Sequence, residues 1–553
     1  MKVSGMRAWS WGAAILAFAL LWLVAYPIIL SALDGVTGPA GWTLDYVRAF
    51  FARPNEWQAL WGSLWISVAT VIASALIGVP LAFLFARTEF PGRRVLGALV
   101  GLPVALPPLV GVLAFLFLYG ESGFAAHLVR WLTRSDQAPW QLQGPGAILL
   151  VQAYSMYVYF YLLVRAALER MDGAALEAAA SLGASRWRIF TRVTLPMLRP
   201  SLIGAALLTF TTALASFSAP YIFGGGFRVM TTQVLATRLN GDTQLAMVET
   251  VALTLIALVA LALMGSQRDA QGQRGGKGSA PARRQATGLG RRMAMVGGWL
   301  LAILLLLPHA TLLLLSFVPV GTWTVEALPP RYTMANYSAL AGDPERLRPL
   351  VNSLWMATVA TVAALVIAVW AGHLVVRRRA QGKRLIEILL AAPYAVPGTV
   401  FALALATAFS VHQPWALRTV LVGTLWILPL AYLIRNLPVT SQPIFAGFRQ
   451  LDPGLDEAAA GLGATRWTIL RRVTLPLLAP ALAAAGALAF VTALGDFVTS
   501  VLLYTYDTRP LSLEILASLR SGDVGVASVY GVLLMLASAA VFLIGSRSGS
   551  TTR

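Results

Sequence analysis

The 553-residue chain contains no cysteine, only four histidines and 23 acidic residues, and charged side chains make up just 12% of it. Without cysteine there is no disulfide framework, no thiolate-bound zinc or iron–sulfur centre and no thiol nucleophile. His127, His309, His373 and His412 are dispersed without metal-ligand spacing, so no resident metal site is expected. A soluble chain of this length would form roughly three or four domains with about a quarter of its residues charged. The scarcity of charge excludes that class. A membrane-embedded enzyme also lacks its raw material, because no His, Asp or Glu cluster and no Ser–His arrangement falls at a common depth.

What fills the chain instead is apolar: 58% of residues are hydrophobic and the mean hydropathy is +0.72. That is enough for a dozen spans of roughly 20 to 25 residues. Uncharged stretches fall at 11–32, 60–85, 95–118, 146–164, 197–222, 246–265, 294–318, 351–376, 385–410, 419–434, 476–504 and 525–545. They predict an all-α polytopic membrane protein with about 12 transmembrane helices. Trp9 to Leu33 lacks a small-residue cleavage site and reads as a retained first span rather than a signal peptide.

The formal charge of +19 does not point to nucleic acid, because the 42 Lys and Arg sit in short clusters between apolar runs. With residue 1 inside, 30 of those 42 fall in the inside segments, which places both termini in the cytoplasm. Between the sixth and seventh spans, residues 266–292 form a polar, basic, small-residue linker. It divides the chain into a first half, 1–265, and a second half, 293–553.

The halves are repeats. Residues 176–200 set over 456–480 give 17 identities in 25 positions, too many for chance. Weaker matches pair Ser63-Leu64-Trp65 with Ser353-Leu354-Trp355, Pro103 and Pro107 with Pro393 and Pro397, and Gly241-Asp242 with Gly522-Asp523. Six spans per half make the repeats parallel, related by an axis along the membrane normal, with a shared route between them. The strongest match lies in a cytoplasmic loop, about 172–195 and 452–475, where sequence ordinarily drifts. Similarity there suggests docking. Alanine runs favour a short helix, Gly183 and Gly463 end it, and Pro196 and Pro476 open the next span.

Each loop carries Glu-Ala-Ala, a glycine six residues after the glutamate, and Leu-Pro further on, which resembles the EAA loop of binding-protein-dependent ABC importer permeases. The resemblance implies a type I importer permease fold and coupling helices seated on an ATPase. Carried over by position, the coupling residues are Glu177, Ala178, Ala179 and Gly183 in one loop and Glu457, Ala458, Ala459 and Gly463 in the other. Two permease halves in one chain, together with Ala493-Leu494-Gly495-Asp496-Phe497 and Arg509-Pro510-Leu511-Ser512-Leu513-Glu514-Ile515, are similar to the ferric-iron permease subfamily. Fused thiamine and phosphonate permeases share the architecture. The implied partners are two ATPase copies, an external or periplasmic binding protein and the bilayer of a bacterial inner membrane, with one permease chain per transporter and no nucleic acid.

No cofactor is expected on the chain itself, and ATP and magnesium belong to the partner ATPase. Gly275-Gly276-Lys277-Gly278-Ser279 is not a phosphate loop, because Gly278 separates the lysine from the serine. An ion-coupled secondary carrier, the rival from another class, also has two parallel six-span halves but gives no reason for twin Glu-Ala-Ala loops.

For the substrate pathway the candidates are Asp496, its counterpart Ser216, and the prolines Pro107 and Pro397 of spans three and nine. Ionisable groups and broken helices inside spans mark pathways. For Asp496, the competing structural reading is a wetted carboxylate at a helix end or one paired with an arginine. Glu249, in the first turn of span six, reads as structural through the helix dipole. Glu387 reads as the partner of Lys383 and Arg384.

Overall fold

The computed structural model describes residues 3–548 except 102, 104–106, 136, 273–283, 286–287, 323–327, 379 and 413–415. Ten helices recur in each half in the same order. In the first half they are α1 (Trp11–Asp34), α2 (Pro54–Arg87), α3 (Arg93–Gly101), α4 (Pro108–Tyr119), α5 (Gly144–Arg170), α6 (Gly173–Ser181), α7 (Leu195–Leu214), α8 (Ser218–Phe223), α9 (Met230–Leu239) and α10 (Thr243–Gly272). In the second half their counterparts are α11 (Gly288–Leu315), α12 (Pro344–Gly372), α13 (Lys383–Ala395), α14 (Gly398–Ala408), α15 (Ile427–Gln450), α16 (Pro453–Gly461), α17 (Leu475–Leu494), α18 (Ser500–Leu503), α19 (Leu511–Arg520) and α20 (Val524–Ser548). Several open on proline at the first or second position, where the missing N–H costs nothing.

Among the described residues, 10 helices are long and apolar enough to cross a membrane, and the pair α13–α14, bent by 110°, makes an eleventh. α15 fills the place of the twelfth. It is too polar to pass on hydropathy, because Arg435, Asn436, Pro438 and Pro443 lie inside it.

Three expected spans change shape. The stretch 95–118 is not one helix but α3 and α4, separated around Pro103 and Pro107, and 385–410 breaks the same way between α13 and α14. Proline removes the donor and pushes the preceding residue extended, and Pro107 and Pro397 themselves cap α4 and α14 with ψ of 132° and 146°. The predicted span 419–434 instead begins at Ile427 and runs to Gln450. Pro196 and Pro476 stand at the second position of α7 and α17, as expected, and the helical span also runs in ahead of them from Arg186 or Arg466 through a π-turn, Phe190–Thr194 or Leu470–Thr474. The wider turn accommodates a residue that cannot donate. Residues 273–283 of the linker lie outside the described residues, 266–272 continue α10, and Arg284–Gln285 pairs in parallel with Thr88–Glu89.

Each half packs α2 on α5, or α12 on α15, with α7 or α17 against both. The first helix of each half keeps contact with the last helix of its own half but packs chiefly on the other. α1 packs on α13 and α14, with Trp22 edge-on to Phe409 at 5.4 Å, and α11 packs on α3 and α4. One apolar core therefore runs through both halves, from Leu16 and Val24 to Phe401 and Tyr530.

Candidate functional site

The paired Glu-Ala-Ala loops have the same backbone. Asp172 caps α6 by accepting from the Ala174 N–H at 3.0 Å, and Asp452 caps α16 by accepting from Gly454 at 2.9 Å. Each helix ends at a glycine with positive φ, +76° at Gly183 and +82° at Gly463. There the N–H of Ala184 reaches the Ala179 carbonyl, and that of Ala464 the Ala459 carbonyl, both at 3.1 Å, the turn that glycine permits without Cβ strain. Ser185 and Thr465 then cap the following helical turn.

Both loops are anchored from above by matched arginines: Arg87 at the end of α2 donates to Met171 Sδ at 3.3 Å, and Arg377 donates to the Leu451 carbonyl at 3.2 Å. Glu177, Ala178, Glu457 and Ala458 face outward, as do Gly183 and Gly463. So do four large apolar side chains, Leu182 and Leu462, each 89% exposed, and Trp187 and Trp467. Apolar groups displayed twice in one geometry mark a binding surface rather than scattered exposure.

The loops differ in one ion pair. Arg377 Nε lies 3.5 Å from Asp456 Oδ2, whereas the equivalent of Asp456 in the first loop is Leu176. Exposed Arg378 is pulled below its ordinary pKa by partial desolvation and by Arg466 nearby, an effect that Asp456 opposes.

The two halves meet where the predicted pathway residues converge. Phe217 and Phe497, equivalent under the repeat, touch each other with ring centroids 5.8 Å apart, and both are buried. Contact between equivalent residues locates the pseudo-twofold axis at this aromatic pair. Tyr221 stacks on Phe217 and accepts from Arg520 Nη2 at 2.6 Å, tying the first half to the second over the pair. Ser216 and Asp496 precede the two phenylalanines, and their carbonyls accept from Thr231 at 2.8 Å and Ser512 at 2.9 Å. Pro107 lies against Gly495 across the axis, where a Cβ would come within 2.7 Å of the proline ring.

At Asp496 the arginine-paired reading is the one the structure bears out. Arg435 Nη1 stands 2.9 Å from Oδ2, while Oδ1 accepts from the Thr499 N–H at 2.8 Å, the Thr499 hydroxyl and the Ser500 N–H. The Arg435 guanidinium packs on the break after Pro397 and leaves no room for a Cβ at Gly398. Sequence reasoning missed Arg435 because it ended the span at residue 434, treating the arginine and the following prolines as a boundary. The available signal was the alternation of buried and polar positions continuing to Arg449.

Other candidates settle differently. Glu249 is fully buried in the second turn of α10, where it accepts from Thr237 Oγ1 at 2.7 Å beside buried Glu56, so packing rather than the dipole explains it. Among the described residues no ion pair joins Glu387 to Lys383 or Arg384. No group of three His, Asp or Glu able to hold a metal occurs among the described residues.

Residues 74–274 and 364–548 each match the family described as binding-protein-dependent transport system inner membrane component. The chain belongs to this family. It is similar to a probable ABC transporter permease of Sinorhizobium fredii, 31% identical over 98% of this chain and 96% of the relative. It is also similar to a ferric transport system permease of Actinobacillus pleuropneumoniae, 28% identical over 96% of this chain and 77% of the relative. A molybdenum transport system permease of Escherichia coli is 37% identical over 30% of this chain and 72% of its own length. The protein is thus a multi-pass ABC importer permease carrying the family's unit twice in one polypeptide.

Proposed function

We propose that this permease moves ferric iron, handed over by an external binding protein, and that its two Glu-Ala-Ala loops seat on two copies of a separate ATPase. Supporting the coupling role is one observation above others: Leu182 with Trp187 and Leu462 with Trp467 stand exposed on two loops of the same backbone geometry. Two equal docking faces suit two equal ATPase subunits. Glu177, Ala178, Ala179, Gly183, Glu457, Ala458, Ala459 and Gly463 form the seats. ATP-driven closure of the partner dimer draws the loops together and separates Phe217 from Phe497, opening the route.

Iron as cargo is supported by the ferric permease relative, which matches nearly the whole chain. The molybdenum relative favours a second reading, an oxyanion cargo of the same transporter class. Both termini and both loops lie in the cytoplasm of a bacterial inner membrane in this reading. The decisive test is ATP-dependent uptake of labelled iron by cells carrying the full system, with co-purification of the ATPase. Saturable uptake of thiamine or a phosphonate without iron would replace the cargo, and ion-gradient-driven uptake without an ATPase would replace the class. Because the chain has no cysteine, Ser279→Cys and Ser135→Cys can be probed with an impermeant thiol reagent. Labelling of both from outside would overturn the topology.

A further inference from the structure

Arg435 lies eight residues inside α15, about 12 Å from one end and about 22 Å from the other at 1.5 Å per residue. A charge at that depth is costly against lipid and is kept where it faces protein or water. The helix face shows which. Arg435, Val439, Gln442, Ala446 and Arg449 are partly or fully exposed, together with Leu430, Leu433, Pro443, Gly447 and Gln450, while 436–438, 440–441, 444–445 and 448 are buried. A stripe with arginine, glutamine and arginine at seven-residue spacing suits a water-filled route and not hydrocarbon.

Asp496 is unfit to receive a cation there. Both of its oxygens are occupied, and its side chain is 5% exposed against 27% for Arg435. Nη1, the paired nitrogen, is sealed from solvent, and no other partner of the guanidinium occurs among the described residues. The charge offered to the route is therefore the arginine's, with donors uncommitted. In the first half the equivalent positions are Ser155 and Ser216, so this charge has no twin.

We infer that Arg435 sets the specificity of the pathway, which takes its cargo as an anion presenting oxygen atoms. Asp496 is its positioning residue. This rests on the importer reading and sharpens it: under the iron assignment the metal crosses as a negatively charged chelate, and under the oxyanion assignment the ion crosses directly.

The test is uptake by cells carrying the full transporter, offered iron-55 as ferric citrate, molybdenum-99 as molybdate, or tritiated thiamine as the cationic control. Four permeases are compared: wild type, Arg435→Lys, Arg435→Gln, and Arg435→Gln with Asp496→Asn. The double variant removes both charges, so it escapes the burial of a lone carboxylate that can unfold the single glutamine variant. We expect wild type to carry one of the two anions, which identifies the source, and not thiamine. The lysine variant should keep most of that uptake, and the double variant should lose about tenfold or more, the worth of one charge-assisted contact, at normal membrane level and ATPase association. Wild-type uptake in the double variant would show that Arg435 only neutralises Asp496 and would overturn the inference, as would uptake of thiamine by wild type. Absence of ATP-dependent uptake of any label by wild type would instead sink the importer reading on which it rests.

Discussion

The two halves agree at the Glu-Ala-Ala loops and diverge near the axis. At the loops, capping aspartate, positive-φ glycine, anchoring arginine and exposed leucine and tryptophan coincide position by position. Near the axis the second half holds an Arg435–Asp496 pair where the first half has Ser155 and Ser216 at the equivalent positions. On the proposed function, surfaces that meet two copies of one partner are held to one solution, whereas positions near a pseudo-twofold axis that meet a single cargo are free to specialise.

The largest effect should come where the halves are alike and touch. Phe217→Ala and Phe497→Ala each remove a buried ring and should cost about 3 kcal/mol or more. Thermal unfolding of the purified chain in detergent should give equal losses, and clearly unequal losses would mean that the pair does not lie on the axis. Next comes the point of divergence. Asp496→Ala strands Arg435 and, discounted for that residue's partial exposure, should cost about 2–3 kcal/mol, while Ser216→Ala should stay within about 0.5 kcal/mol. Equal melting shifts would erase the asymmetry.

Gly183→Asp and Gly463→Asp force a Cβ into a left-handed turn, at a cost of about 1–2 kcal/mol local to each loop. Membrane insertion should persist while ATPase co-purification and transport fall, and normal values in both variants would remove the loops from the coupling path. The smallest effect should be Asp456→Ala, which breaks a partly exposed ion pair present only in the second loop and worth under about 1 kcal/mol. It should weaken ATPase association slightly at low salt and not at high salt. A loss as large as that of Gly463→Asp would show that the second loop dominates coupling.

The Glu-Ala-Ala loops could be read from sequence because their structure is local. Asp172 bonds two residues away, and Gly183 closes a turn on carbonyls three to five residues back. The aromatic pair was not legible, since Phe217 and Phe497 lie 280 residues apart and only the packing of both halves joins them. Arg435 shows the reverse error. Hydropathy treats arginine and proline as the end of a span, yet α15 continues because Asp496 in the 495–499 loop supplies the counter-charge.

Composition by itself determined the class, because 58% hydrophobic residues without cysteine have few alternatives to a helical membrane protein. Internal repetition determined the twofold plan, and local capping chemistry determined the loops. Tertiary structure alone decided that α1 and α11 pack chiefly on the opposite half, that the first proline-broken span brings Pro107 against Gly495, and that Asp496 is spent on Arg435. Those outcomes depend on contacts between segments hundreds of residues apart, where only the shape and charge of the packed neighbours select one arrangement.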